Sequence, residues 1–378
     1  MQMNILIFII ILLVLVLVHE FGHFWSAKKF GIRVDEFGFG FPPKLFGFKK
    51  GETEYTFNLL PIGGFVKIFG DNADALTAKE TDENISGVDA SRAFVNKAKW
   101  KQAIVLFAGI FANFLLAWIL FSVGFMSGLP TSVGNEPEGY AATDAHLTII
   151  SVLPDSPAET MGLKSGDRIV SIESGSDMVE YENINPTSLK SFIVAHGNEE
   201  IKLGYLRNES GEMITVVGVT PTKISDSDIP IMGISMDEIG VVKLPFFRAF
   251  YEGMKLNWSM TKGTAVGLFT LIKEGVAGKG SLSSVSGPVG MVGIVGDAYQ
   301  FGFVYLLSFA ALISINLAII NLIPFPALDG GRLLFLLIEK IKGSPLNSKF
   351  ANSANMVGFA LLIILMIFVT YHDVAKLF

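Results

Sequence analysis

The chain has 378 residues, of which 51% are hydrophobic and only 17% charged, against roughly a quarter charged in an ordinary soluble domain. That balance excludes a disordered chain, and the absence of cysteine excludes a disulfide scaffold. A net charge of −6 argues against a nucleic-acid partner, and any metal site must be built from Asp, Glu and the five histidines.

The apolar run Met1 to Val18 is long enough to cross a hydrocarbon core, which needs about 20 residues. It has no basic leader and no small-x-small cleavage site, so it reads as a retained span over residues 1–26 rather than a signal peptide. At its end stands His19-Glu20-Phe21-Gly22-His23, an H-E-x-x-H pattern. On a helix, a spacing of four puts both imidazoles on one face, able to share a metal, with Glu20 beside its water as general base. Zinc brings the pKa of such a water to about 7. The bland alternative is a pair of stacked interfacial histidines, but two His and a Glu at the end of an apolar span are costly without a function.

Residues 27–101 form a basic region, rich in Lys and Arg from Lys28 to Lys101. Within it, Tyr55–Asp71 reads as two β-rich runs around a Pro61-Ile62-Gly63-Gly64 turn, a sheet edge suited to pairing with an extended peptide. The acidic stretch Asp71–Asp89 reads as a solvated loop. A second span follows at 102–126, with Asn113 inside AGIFAN. Its amide either contacts substrate or makes a helix–helix hydrogen bond.

From Thr148 to Met236, β-rich runs alternate with turns and one helical stretch near Ser188–Ala195, a small α+β domain over about residues 140–238. Residues 240–297 are amphipathic and read as juxtamembrane helix. The third and fourth spans cover 298–331 and 350–372. Lys and Arg crowd the connection between spans one and two and recur as Arg332, Lys340, Lys342 and Lys349, whereas Ser127–Ala145 has none. Both basic connections are therefore expected to face the cytoplasm, with the 140–238 domain outside. The expected fold class is a polytopic α-helical membrane protein of about four transmembrane helices in the plasma membrane. A membrane-associated β-hairpin and the inserted small domain complete it, and the lipid bilayer is its first partner.

A catalytic zinc needs a third protein ligand and an open position. His146 and His196 belong to the exported domain, and His372 and Asp373 end span four at the far face, about 30 Å away. Glu339, beside Lys340, is expected to face solvent. That leaves Asp329, at the end of span three, where Pro324 and Pro326 break the helix and Gly330-Gly331 permit a tight turn. The competing reading is an Asp that caps the following helix. Asn321, eight residues earlier, either holds an extended substrate or an oxyanion, or bonds a neighbouring helix.

HEFGH ending a first span, paired with NLIPFPALDGG ending a third, resembles the site-2 protease family of intramembrane zinc metalloproteases, in its bacterial RseP/RasP-type branch. EFGFGFPPKLF, YTFNLLPIGGFVKIFGD, AGIFAN and SGPVG match as well, and SPAETMGLKSGDRIVSIE resembles the start of a PDZ domain. The resemblance implies one catalytic zinc held by His19, His23 and Asp329, with Glu20 as acid/base and Asn321 contacting substrate. It implies that the hairpin re-enters the membrane and pairs with the substrate backbone through Pro61, Gly63, Gly64, Phe65, Val66 and Lys67. The implied substrates are transmembrane proteins such as anti-sigma factors or signal-peptide remnants, cut after a first extracytoplasmic cleavage. The PDZ-like domain then offers a site for a peptide ligand. Two rivals are a membrane-anchored metallopeptidase acting on soluble peptides and a non-catalytic membrane scaffold bearing the PDZ-like domain. The first predicts an HExxH in a water-exposed domain and the second a degenerate one.

Overall fold

In a computed structural model, the described residues are 2–71, 88–153, 155–179, 183–197, 199–207, 215–222, 230–278 and 287–375. Most of the acidic Asp71–Asp89 stretch and Ser286 of SGPVG lie outside them. The chain divides into two compact units. The first comprises Met1–Phe121, Gly253–Gly296 and Ser308–Phe378, and the second Ser122–Glu252 and Asp297–Leu307.

The first unit opens with helix α1 (Gln2–Lys29), whose buried stripe is Leu15, His19, Gly22, His23, Ser26 and Ala27. Its other faces leave Ile5, Leu6, Ile10 and Val14 uncovered, as a lipid-facing helix does. The two histidines thus lie on the one face that packs against protein. Strands β1 (Val34–Lys50) and β2 (Thr53–Ile68) pair as an antiparallel hairpin. Each folds back on itself, β1 beyond Gly40 (φ 77°) and β2 at Gly63 (φ 106°), left-handed positions that glycine tolerates. As a result Phe37 meets Val66 on one side and Tyr55 on the other. Residues 63–68 form one outer edge of this small sheet and residues 44–50 the opposite edge.

The turn between the strands is pinned to α1. Lys28 donates to Glu52 at 2.6 Å and Arg92 donates to both of its oxygens, at 2.7 and 2.6 Å. The bond from Lys28, then that from Arg92, holds the Glu52 carboxyl below its ordinary pKa.

Helix α2 (Lys99–Ser127) runs antiparallel to α1 and continues into the second unit. There β3 (Leu129–Ser132), β4 (Thr143–Val152), helix α3 (Pro157–Thr160), β5 (Arg168–Ser174) and β6 (Asp177–Val179) follow. Helix α4 (Pro186–Ala195), β7 (Ile201–Leu206), β8 (Thr215–Val219) and β9 (Ile234–Val242) complete the unit's sheet and its helices. The strand order is β3-β9-β4-β5-β7-β8, with β6 on β5, and every pairing is antiparallel. Alternate residues of a strand share a face, so Leu147 and Ile149 of β4 and Ile201 and Leu203 of β7 enter one core. Ile169 and Ile172 of β5 join them there, and Leu189 and Phe192 of α4 close it. Asn185 caps α4 by accepting from Ser188 N at 2.9 Å, while Ser188 Oγ accepts from Asn185 N, so the helix begins two residues before the expected Ser188. Strand β7, IKLGYL, carries too little polar alternation to stand out in the sequence.

The chain returns through α5 (Phe246–Val276), α6 (Pro288–Gln300), α7 (Phe303–Leu322), α8 (Asp329–Lys342) and α9 (Ser348–Ala375). Asp373 on α9 accepts from Gly287 N at 3.0 Å and Gly290 N at 2.8 Å, so the described part of SGPVG places the N-terminus of α6 on a buried carboxylate. Helices α1, α2, α7 and α9 are long and apolar enough to cross a membrane. The protein is therefore a polytopic membrane protein with a sheet-rich insertion.

Candidate metal centre

Three side chains, one of them more than 300 residues from the other two, converge on the buried face of α1. Asp329 Oδ2 lies 3.0 Å from His19 Nε2 and 3.1 Å from His23 Nε2, and the two imidazole nitrogens are 3.2 Å apart. Among the described residues this is the one cluster of three or more His, Asp or Glu suited to a metal ion. The fit to zinc can be tested on these separations. Bonds of about 2.0–2.1 Å at tetrahedral angles put neighbouring donors roughly 3.3 Å apart, close to what is found. Two nitrogens and one carboxylate oxygen are also a donor set that zinc favours.

How Asp329 arrives there follows from local sequence. Helix α7 stops at Leu322 because Pro324 and Pro326 cannot donate to its ladder. Helix α8 then starts at Asp329, with Leu328 as N-cap and no side-chain cap bond. The capping role expected as an alternative for Asp329 is thus not the one it fills, since its carboxylate turns to the histidines. Gly330 and Gly331 are required by close approach. A Cβ on Gly330 would lie 2.3 Å from the Leu322 and Ile323 carbonyl oxygens, and one on Gly331 2.1 Å from that of Phe325.

Helix α2 supports both histidines through residues at intervals of four. His23 Nδ1–H donates to the Val105 carbonyl at 2.8 Å, which leaves Nε2 to face Asp329. Gly109 gives the imidazole of His23 its room, for a Cβ there would lie 2.3 Å from Nε2. Asn113 Nδ2 reaches His19 Nδ1 at 3.3 Å. The parts played by Val105 and Gly109 are not legible in the sequence as chemistry: a carbonyl has no sequence signature, and a glycine that clears a ligand looks like any small residue at a helix contact.

A cavity of about 490 Å³ opens beside the cluster. His19, Glu20, His23 and Asp329 line it together with Asn321 and the sheet-edge residues Gly63, Gly64, Phe65 and Val66. Pro61 and Lys67, grouped with these residues on sequence, are not in its wall. Glu20 is half-buried, one residue from His19, and is not among the three converging donors.

The excluded candidates also have definite places. Glu339 does not face solvent: its side chain is 15% exposed, paired with Lys99 and accepting from Leu346 N at 2.9 Å. Its neighbour Lys340 gives the wrong impression, because the pairing partner lies far away on α2. His196 bonds Asp177 at 3.2 Å, and His146 contacts Arg168 and the Asp144 carbonyl, both within the second unit. Burial in that surrounding lowers the pKa of His146.

Comparison with known proteins points the same way. The zinc metalloprotease RasP of Geobacillus kaustophilus is 30% identical over 442 residues, covering 99% of this chain and 98% of its own. The regulator of sigma-W protease RasP of Bacillus subtilis is 30% identical over 449 residues, covering 99% of each chain. A putative zinc metalloprotease of Clostridium acetobutylicum is 36% identical over 372 residues, 98% of this chain and 97% of its own. The model of Peptidase family M50 matches residues 7–365. With a whole-length family match, zinc as that family's metal and a donor cluster that suits it, this chain belongs to peptidase family M50, the site-2 proteases, and is a zinc metalloendopeptidase.

Proposed function

We propose that the protein cleaves peptide bonds within transmembrane segments of other membrane proteins, after a first cut outside has shortened them. The observation that carries this reading is that a three-donor metal cluster, a carboxylate and an open sheet edge share one cavity beside an apolar helix of spanning length. A spanning helix hides its carbonyls in its own hydrogen bonds, so a substrate must unwind before it can be cut. The edge at residues 63–68 offers an unwound segment the backbone partners it has lost. In this reading His19, His23 and Asp329 hold the zinc. When bound, zinc supplies Lewis acidity that makes water easier to deprotonate near neutral pH and polarises a carbonyl. Glu20 takes the proton from the attacking water and returns it to the departing amine nitrogen. The Asn321 amide, on the cavity wall, holds the substrate backbone or the oxygen on which negative charge develops.

Adjacent residues of a strand turn their N–H groups to opposite sides, so Phe65→Pro and Val66→Pro separate the two edges of this segment. One variant loses a bond to residues 36–39, the other a donor that faces the cavity. The second should keep its zinc and lower cleavage of a transmembrane substrate by up to about tenfold, the worth of one hydrogen bond. Cleavage at the wild-type rate by both purified variants would rule the edge out as the substrate's partner.

In this reading the metal side faces the cytoplasm and the second unit lies outside a multi-pass plasma membrane protein, an orientation that the Lys and Arg of the short connections favour. The second unit, a small antiparallel sheet with a capped helix, is read as a PDZ-like domain that can take a peptide ligand. Its two histidines have partners of their own and belong to no metal cluster among the described residues, so its part is to restrict access rather than to perform chemistry. Removing residues 133–238 should relax the limit on substrate ectodomain size and leave zinc in place. The comparison is cleavage of long and short forms of one substrate. A zinc-loaded deletion enzyme that rejects the long form as strictly as the intact one would place the limit elsewhere.

A further inference from the structure

The cluster of His19, His23 and Asp329 explains one nitrogen of each imidazole. The other nitrogen of His23 is accounted for, because a carbonyl such as that of Val105 can only accept, and Nδ1 must carry the proton it receives. The other nitrogen of His19 meets a side chain that can do either. Asn113 is completely buried, and its Nδ2 lies 3.3 Å from His19 Nδ1. In that orientation its Oδ1 is buried with no hydrogen-bond partner among the described residues. The two ends of an asparagine amide are told apart only by their hydrogen bonds. A half-turn of the amide brings the unpaired oxygen to His19 Nδ1.

That half-turn is what zinc ligation asks for. If Nε2 of His19 gives its lone pair to zinc, the ring's one proton resides on Nδ1 and needs an acceptor. We infer that Asn113 is a positioning residue of the metal centre, whose amide oxygen accepts the Nδ1 proton of His19 and fixes that ring as a zinc ligand. The inference rests on the zinc reading of His19, His23 and Asp329. Two observations support it beyond the single contact. Val105, Gly109 and Asn113 are spaced by four on α2, antiparallel to His19 and His23 spaced by four on α1, so one stripe serves both rings. The stripe is also held from behind. Ser314 Oγ of α7 donates to the Asn113 carbonyl at 2.8 Å, and Asn257 Nδ2 of α5 donates to the next carbonyl, Phe114, at 3.2 Å. Asn113 is thereby locked in place at the meeting of α1, α2, α5 and α7, more than a lone helix–helix hydrogen bond requires.

The test uses the full-length protein in detergent and zinc itself as the probe, with affinity measured by competition against a chelator and the fold checked by melting of the metal-free form. Asn113→Leu keeps the volume and removes the acceptor, and should weaken zinc binding by about 10- to 100-fold, as loss of such a partner does elsewhere. Asn113→Asp keeps an acceptor at the same place and should bind zinc as tightly as wild type or more tightly. Cobalt-substituted Asn113→Asp should retain the wild-type visible spectrum. Were Asn113 only a packing or helix-contact residue, the result would reverse: Asn113→Leu would bind zinc like wild type, and the buried charge of Asn113→Asp would be the damaging change. Either of those results overturns the inference, and should Asn113→Leu fail to fold, Asn113→Asp alone decides. His23→Ala serves as control. If it binds zinc as tightly as wild type, the zinc reading itself is at fault, whatever Asn113 does.

Discussion

Glu20→Gln is expected to leave zinc bound and to lower cleavage by about 10²–10⁴-fold, the contribution general acid–base groups make. The side chain lines the cavity but is not one of the three donors that converge on each other, so an isosteric amide removes a proton carrier and no ligand. An amide has no basic oxygen to take the proton of water and no acidic proton for the leaving nitrogen. The measurement is turnover of a transmembrane substrate in detergent, alongside elemental zinc in the same preparation. Wild-type turnover by the zinc-loaded variant would remove Glu20 from the mechanism.

Asp329→Ala is expected to fail differently, by losing the metal. Two histidines alone make a poor zinc site, and Asp329 Oδ2 is the atom both imidazoles face. The substitution should spare the fold. Asp329 is the first residue of α8 but does not cap it, so the helix forfeits only a charge–dipole term of about 0.3–1 kcal/mol, partly offset by alanine's helix propensity. Zinc content should fall well below one ion per chain, with a thermal transition of the metal-free protein close to wild type. Full zinc occupancy with normal activity would reopen the search for the third ligand.

The parts legible in the sequence are those in which chemistry and spacing sit on one element. His19, Glu20 and His23 announce themselves through an interval of four on an apolar helix. Asp329 emerges because its rivals lie on other connections and because two prolines and two glycines interrupt a span around it. What stays hidden depends on tertiary register. The fold-back of β1 and β2, which turns a hairpin into a sheet with residues 36–39 at its middle, depends on which segments meet and not on any local pattern. Asn113 is visible but ambiguous, since an intramembrane amide reads equally as a substrate contact or a helix contact until the ring it touches is known. Glu339 is misplaced by sequence for the same reason: its partner, Lys99, lies 240 residues away in the chain.

The two outer strands of that small sheet are protected from self-association by unlike means. Residues 44–50 are exposed and carry Lys44, Lys49 and Lys50, charges that deter another strand from docking. Residues 63–68 carry only Lys67, and begin with two buried glycines inside the cavity wall. A bare edge is normally an invitation to aggregate, and here enclosure replaces charge as the safeguard. A folded copy of the chain would have to bring its whole sheet into that cavity, whereas the proposed substrate needs to bring only a single extended segment. On the proposed reading, the protein thus keeps one pairing surface open to substrate without becoming a template for fibrils.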